Sequence, residues 1–167
     1  MGVEFRCDTS KGRRHALALK RDARAMLKAA RLDKCELSLT LTSDENIRTL
    51  NREYRKKDQP TDVLSFSQIE ERGSAGPDPL AVQNNSGMPL GDVVISIDTA
   101  LAQALRYDVP PPERLRTLLI HGFLHLLGYD HERSPAAARK MFARERQLAT
   151  IMKSSQAAPK TRARTSR

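Results

Sequence analysis

The sequence contains no tryptophan, only two cysteines, and few aromatic residues of any kind. Cys7 and Cys35 have no CxxC spacing, which argues against a disulfide framework and predicts buried thiols in a reducing compartment. No apolar run approaches the roughly 20 residues of a membrane span, and residues 1–10 alternate in polarity where a signal peptide would be apolar. These absences predict a cytoplasmic protein that makes no membrane contact.

Acidic residues are also in the minority, with 20 Asp and Glu against 29 Lys and Arg, so the net charge is +9. Residues 154–167 contain basic residues but no acid, and their lack of core residues predicts a disordered basic tail behind one domain spanning 1–153. A basic domain with a basic tail suits a polyanion such as an RNA backbone. Charge alone, however, favours a solvated surface with a disordered end.

Three of the four histidines stand in one stretch, LLIHGFLHLLGYDHE (118–132). A helix would place His121 and His125 on one face, with Cβ atoms about 5–6 Å apart. Gly128 can end this helix in a left-handed conformation, and the returning chain could bring His131 to the same ion. The spacing predicts a three-histidine metal site with one position open for water or substrate. A hydrogen-bonded histidine cluster without metal is the alternative.

One residue is missing from an otherwise known zinc motif. The spacing agrees with the metalloprotease pattern HExxHxxGxxH, but Gly122 replaces the glutamate that serves as general base. The predicted ligands are present without this base, which argues against peptide hydrolysis by the usual route.

Hydrophobic periodicity predicts the element order β-α-β-α-β-loop-β-α-α-α. The four strands are expected near residues 3–7, 35–41, 61–67 and 91–97, and a long loop over 68–90, where Gly and Pro are frequent. This order predicts an α/β fold: a small single-domain sandwich with a mixed sheet of about four strands and packed helices. The metal site would lie on a helix of the C-terminal half.

A second polar cluster, NREYRKKDQPTDVLSF (51–66), occurs where a predicted helix leads into the third strand. Arg55 is suited to hold a phosphate, because a guanidinium group offers planar, paired donors. The alternative is a structural salt bridge from Arg55 to Asp58 or Asp62, and the spacing by itself favours that alternative.

NREYRKKDQPTDVLSF, LGDVVIS and HGFLHLLGYDH together resemble the three signature stretches of the YbeY family, in the same order. The resemblance extends from about residue 37 to 153. It implies a metal-dependent endoribonuclease specific for single-stranded RNA, which acts in 16S rRNA 3′-end maturation and ribosome quality control. Ribosomal RNA and the small ribosomal subunit would be its partners. The resemblance also implies one Zn²⁺ per chain, held by His121, His125 and His131, and makes Arg55 the essential arginine.

Further roles follow from chemistry around this implied centre. Three neutral imidazoles would leave the ion its full charge, which suits activation of water, while Arg55 would stabilise charge on the scissile phosphate. Asp130 is expected to orient a histidine from outside the ligand set, with acceptance of a proton as the alternative. Lys56 and Lys57 are expected to hold the RNA backbone.

Two other classes of function stay open: another zinc hydrolase, and an RNA- or ribosome-binding assembly factor with a structural metal. A structural zinc is usually closed by four protein ligands, and no cysteine lies near the histidines to act as the fourth. The open position therefore favours catalysis.

Overall fold

The predicted α/β class is confirmed by the computed structural model, which describes residues 2–69 and 86–157. These residues form one mixed four-stranded sheet and five helices, in the predicted order. The elements are β1 (Val3–Cys7), α1 (Arg13–Ala29), β2 (Glu36–Thr42), α2 (Asp44–Arg55), β3 (Val63–Ser67), β4 (Pro89–Ser96), α3 (Ile97–Arg106), α4 (Pro111–Leu126) and α5 (Pro135–Ala157).

The strands lie in the order β1-β2-β4-β3. β1, β2 and β4 are parallel, whereas β3 runs antiparallel to β4 at one edge of the sheet. β4 is a central strand, as its nearly continuous apolar sequence predicts, because a strand covered on both faces has no solvent-facing side. The edge position of β3 puts this strand beside the functional site described below.

The two faces of the sheet pack against different helices, since successive side chains of a strand point to opposite sides. On one face, Leu39 and Val93 are buried in the main core with side chains from α1, α4 and α5. On the other face, Leu64 and Val94 form a smaller cluster with Ile47 of α2. The sheet thus separates α2 from α4, and the two helices approach a common site only around the edge strand β3.

Two predicted helix starts are confirmed by their hydrogen bonds. Ser43 caps α2 by accepting a hydrogen bond at Oγ from the backbone N–H of Asn46, at 3.2 Å. Ser134 precedes Pro135, the first residue of α5, and its Oγ accepts from the backbone N–H of Ala137 at 3.0 Å. Both agree with the preference of serine for the N-cap, where it satisfies an otherwise unpaired N–H group.

The predicted boundary of the basic tail falls inside a helix. α5 continues through Ala157, so residues 154–157 are helical where a disordered tail was expected. The rest of the predicted tail, 158–167, and residues 70–85 of the predicted loop lie outside the described residues. Within 2–69 and 86–157, no helix has both the length and the hydrophobicity needed to cross a membrane.

Candidate active site

The histidine-bearing helix α4 is held against β3 by two serines of that strand. Ser65 Oγ donates a hydrogen bond to the carbonyl oxygen of Gly122 at 2.8 Å, and Ser67 Oγ donates to that of Leu126 at 2.9 Å. The second bond satisfies one of the last carbonyl groups of the helix, which have no partner within the helix itself. These bonds set the register of α4 along the edge strand, so the serines of the TDVLSFS stretch position the histidines.

Gly122 is the point at which α4 lies closest to the sheet. A Cβ atom added there would lie 2.9 Å from Val63 Cγ2 and 2.9 Å from Val93 Cγ1, closer than carbon atoms normally approach one another. The position that carries the general base in the peptidase motif therefore faces the packed sheet in this chain. The absence of glutamate from this position has a packing reason.

We expect Gly122→Glu to lower the free energy of unfolding of the metal-free protein by at least about 3 kcal/mol. An unpaired buried charge typically costs about 3–5 kcal/mol, and overpacking adds about 1–3 kcal/mol. Urea denaturation measures the effect. Ala102→Glu is the control, because Ala102 is exposed on α3. Equal unfolding midpoints for the two variants would show that position 122 tolerates a side chain.

The three predicted metal ligands converge. The ring centroids of His121 and His125 are 4.7 Å apart, and that of His131 is 5.3 and 5.4 Å from theirs. Gly128 has a φ of +90°, as predicted for the turn that ends α4, and its N–H donates to the His125 carbonyl at 3.1 Å. This turn brings His131 back, so one potential ligand atom from each histidine lies within 4.8 Å of the others.

The separation of one pair of ring nitrogens is suitable for a shared metal ion. Nε2 of His121 and Nε2 of His125 are 3.1 Å apart, close to the roughly 3.3 Å that separates two nitrogens on tetrahedral zinc with Zn–N bonds of about 2.0–2.1 Å. Nδ1 of His131 is buried without a hydrogen-bond partner in the described part of the chain. Burial, followed by the neighbouring His121 and His131, lowers the pKa of His125. This shift favours the neutral imidazole that metal binding requires.

A carboxylate that the sequence did not predict for the site, Glu145, contacts His121. Glu145 of α5 lies with Oε1 2.8 Å from Nδ1 of His121. Asp130, the predicted orienting residue, instead accepts a hydrogen bond at Oδ1 from the backbone N–H of Glu132 at 2.9 Å. Asp130 thus shapes the turn around His131, and its charge acts to raise the pKa of His125.

Arg55 lines the same cleft as the three histidines and Asp130, a space of about 520 Å³. The predicted salt-bridge alternative does not appear among the described residues, because both carboxylates have other partners. Those partners are Arg48 and Arg52 for Asp58, and Arg114 and Gln103 for Asp62. The exposed guanidinium of Arg55 therefore faces the cleft without a described carboxylate partner.

The segment after Arg55 is held by α2 itself. The buried Asn51 donates a hydrogen bond from Nδ2 to the carbonyl oxygen of Gln59 at 2.8 Å, which ties the end of the connection to the helix. Lys56 ends α2 in a left-handed conformation with a φ of +57°. Lys56 and Lys57 are both exposed, so their charges are available to a ligand that enters beside Arg55.

Comparison with known proteins identifies a family. The family model described as Endoribonuclease YbeY matches residues 6–153. A protein of that name from Anaeromyxobacter dehalogenans is 45% identical over 149 residues, which cover 89% of this chain and 70% of the relative. Another, from Geobacter metallireducens, is 43% identical over 145 residues, covering 84% and 90%.

A solution structure from Thermotoga maritima covers 92% of this chain and 91% of its own, with a TM-score of 0.61. Its sequence identity is 23%, so it supports the fold alone. The family model and the relatives, in contrast, match this chain in sequence over most of its length. The chain belongs to the YbeY endoribonuclease family.

Proposed function

We propose that this protein is a zinc-dependent endoribonuclease that cleaves single-stranded RNA, in maturation of the 16S rRNA 3′ end and in ribosome quality control. Membership in an endoribonuclease family makes RNA the substrate class. The observation that carries the proposal is the convergence of three histidine nitrogens and Arg55 on one cleft. One Zn²⁺ per chain would be held by His121, His125 and His131.

The residues of the cleft have different proposed roles in catalysis. A zinc ion with three neutral ligands would supply a lowered pKa for water and polarise a phosphoryl oxygen. Arg55 is proposed to stabilise the charge that develops on the scissile phosphate, where a fixed cation has its largest effect. Lys56 and Lys57 hold the RNA backbone beside it, and Asp130 maintains the turn that carries His131.

The proposed place of action is the cytoplasm, with the small ribosomal subunit as partner. Two features support it. Neither cysteine is placed in a disulfide, as a reducing compartment favours, and the net charge of +9 favours association with an RNA-rich particle. An assembly factor with a structural metal would have a closed coordination shell. Among the described residues, the cluster that could hold a metal ion contains three histidines and no fourth protein ligand.

The decisive experiment is cleavage by the purified protein of a single-stranded RNA that carries the 3′ end of 16S rRNA with its precursor extension. We expect cleavage that is lost on chelation and restored by zinc, and a much lower rate on the same sequence in a duplex. Zinc binding and tight RNA binding without any cleavage would favour the assembly factor. Cleavage that persists after complete removal of metal would contradict the zinc mechanism.

Removal of residues 158–167 is expected to weaken RNA binding mainly at low salt. This segment contains Lys160, Arg162, Arg164 and Arg167 and no acidic residue. Each contact with a single-stranded phosphate contributes about 0.7 to the slope of log affinity against log salt, so the slope should fall by up to about 3. Filter binding at several salt concentrations measures it. An unchanged slope would show that the tail does not touch RNA.

A further inference from the structure

We propose that Glu145 is a positioning residue of the metal centre: its carboxylate holds the His121 ring so that Nε2 faces the metal position, and it couples α5 to that centre. The inference rests on the proposed zinc site and extends it to a residue outside the three histidines. Its basis is the 2.8 Å contact between Glu145 Oε1 and His121 Nδ1, across 24 residues of sequence.

The contact determines which nitrogen of His121 is available to a metal. A carboxylate in its ionised form only accepts hydrogen bonds, so the proposed pairing places the hydrogen of His121 on Nδ1 and the lone pair on Nε2. Nε2 is also the atom that faces His125 Nε2 at 3.1 Å. The carboxylate therefore selects the tautomer whose lone pair points into the cluster. Such partners outside the ligand set orient the ring and raise its basicity.

The position of Glu145 on α5 is unusual for a charged residue. Met141, Leu148 and Met152 are fully buried on this helix, and residue 145 stands between them at helical spacing, four after the first and three before the second. The Glu145 side chain is accordingly only 21% exposed, and that of His121 27%. A carboxylate in an apolar stripe is costly unless it is paired, and the described partner here is a predicted zinc ligand.

The same contact could serve merely to hold α5 against α4. A structural role of this kind would affect the zinc-free and the zinc-loaded protein equally, because the helices are packed in both. A positioning role predicts a larger loss in the loaded protein. The zinc affinity, and the rise in melting temperature on adding zinc, therefore separate the two roles without any measurement of catalysis.

The experiment measures zinc affinity by competition with a chelator of known affinity, on the full-length chain. We expect Glu145→Ala to weaken zinc binding about 10- to 100-fold, the usual effect of removing such a partner. Glu145→Gln keeps an oxygen that can accept a hydrogen bond from Nδ1–H of His121. The zinc affinity of this variant should therefore fall between those of the parent and Glu145→Ala. Glu113→Gln removes an exposed carboxylate from the first turn of α4 and should bind zinc like the parent.

Imidazole NMR of the zinc-free protein supplies a second measurement. The Nδ1–H proton of His121 should be protected from exchange in the parent and lose that protection in Glu145→Ala. If the parent binds no zinc, the proposed zinc site fails and this inference fails with it. If the parent binds zinc and both Glu145 variants bind it equally well, only the positioning role is overturned. Should Glu145→Ala fail to fold, Glu145→Gln still decides, because weaker zinc binding at unchanged stability cannot come from packing.

Discussion

Arg55→Ala is expected to slow single-turnover cleavage of RNA about 100- to 1,000-fold while leaving RNA affinity within a few-fold of the parent. Loss of one preorganised donor to a developing charge typically raises the barrier by about 2.7–4 kcal/mol. The effect should fall on turnover, because the charge on the phosphate grows as the transition state is approached. Arg55 lines the cleft that contains the three histidines, which is the placement this role requires.

Stability should change little in the same variant. Arg55 is exposed, and the carboxylates of Asp58 and Asp62 are paired with other side chains, so no described salt bridge is broken. Arg52→Ala is a suitable control on the same helix: its 3.7 Å contact with Asp58 joins two half-exposed groups, and such pairs contribute little. Arg52→Ala should cleave RNA at close to the parental rate.

Arg55→Lys distinguishes charge from geometry. Lysine keeps the positive charge but loses the planar pair of donors, so we expect only part of the activity to return. Rate, zinc content and melting temperature are measured on one preparation of each variant. If Arg55→Ala cleaves as fast as the parent per zinc-loaded molecule, Arg55 has no catalytic role.

His125→Ala is expected to reduce the zinc content from about one ion per chain to near background, because two ligands rarely retain the ion against buffer exchange. Metal-dependent cleavage should disappear with it. His125 belongs to the cluster: its ring lies 4.7 Å from that of His121 and 5.4 Å from that of His131. Elemental analysis of protein that has met neither a chelator nor a metal-affinity tag measures the content directly.

His15→Ala is the matched control for that experiment. His15 is the fourth histidine of the chain and lies on α1, outside the cluster that could hold a metal. This variant should keep its zinc and its activity. Full zinc content in His125→Ala, or a parent protein without zinc, would overturn the proposed ligand set.

Local sequence patterns were sufficient for much of this protein. The order of strands and helices, the caps at Ser43 and Ser134, and the turn at Gly128 all depend on residues close together in the chain, so periodicity and capping preferences predict them. The convergence of His121 and His125 is of the same kind, because one helical turn separates them. The spacing of the histidines along the chain is therefore enough to indicate a possible metal-binding site.

Other features depend on pairs of residues that are distant in sequence and meet only in the fold. Sheet order and helix packing bring Arg55 to the histidines and Glu145 to His121. They also place Arg114, and not Arg55, in an ion pair with Asp62. Periodicity shows which face of an element is buried but not which element covers it, so periodicity could not predict these partners. The family resemblance placed Arg55 at the histidine centre but gave no indication of Glu145. The close packing of α4 on the sheet likewise explains the glycine at position 122, which the sequence shows only as a missing glutamate.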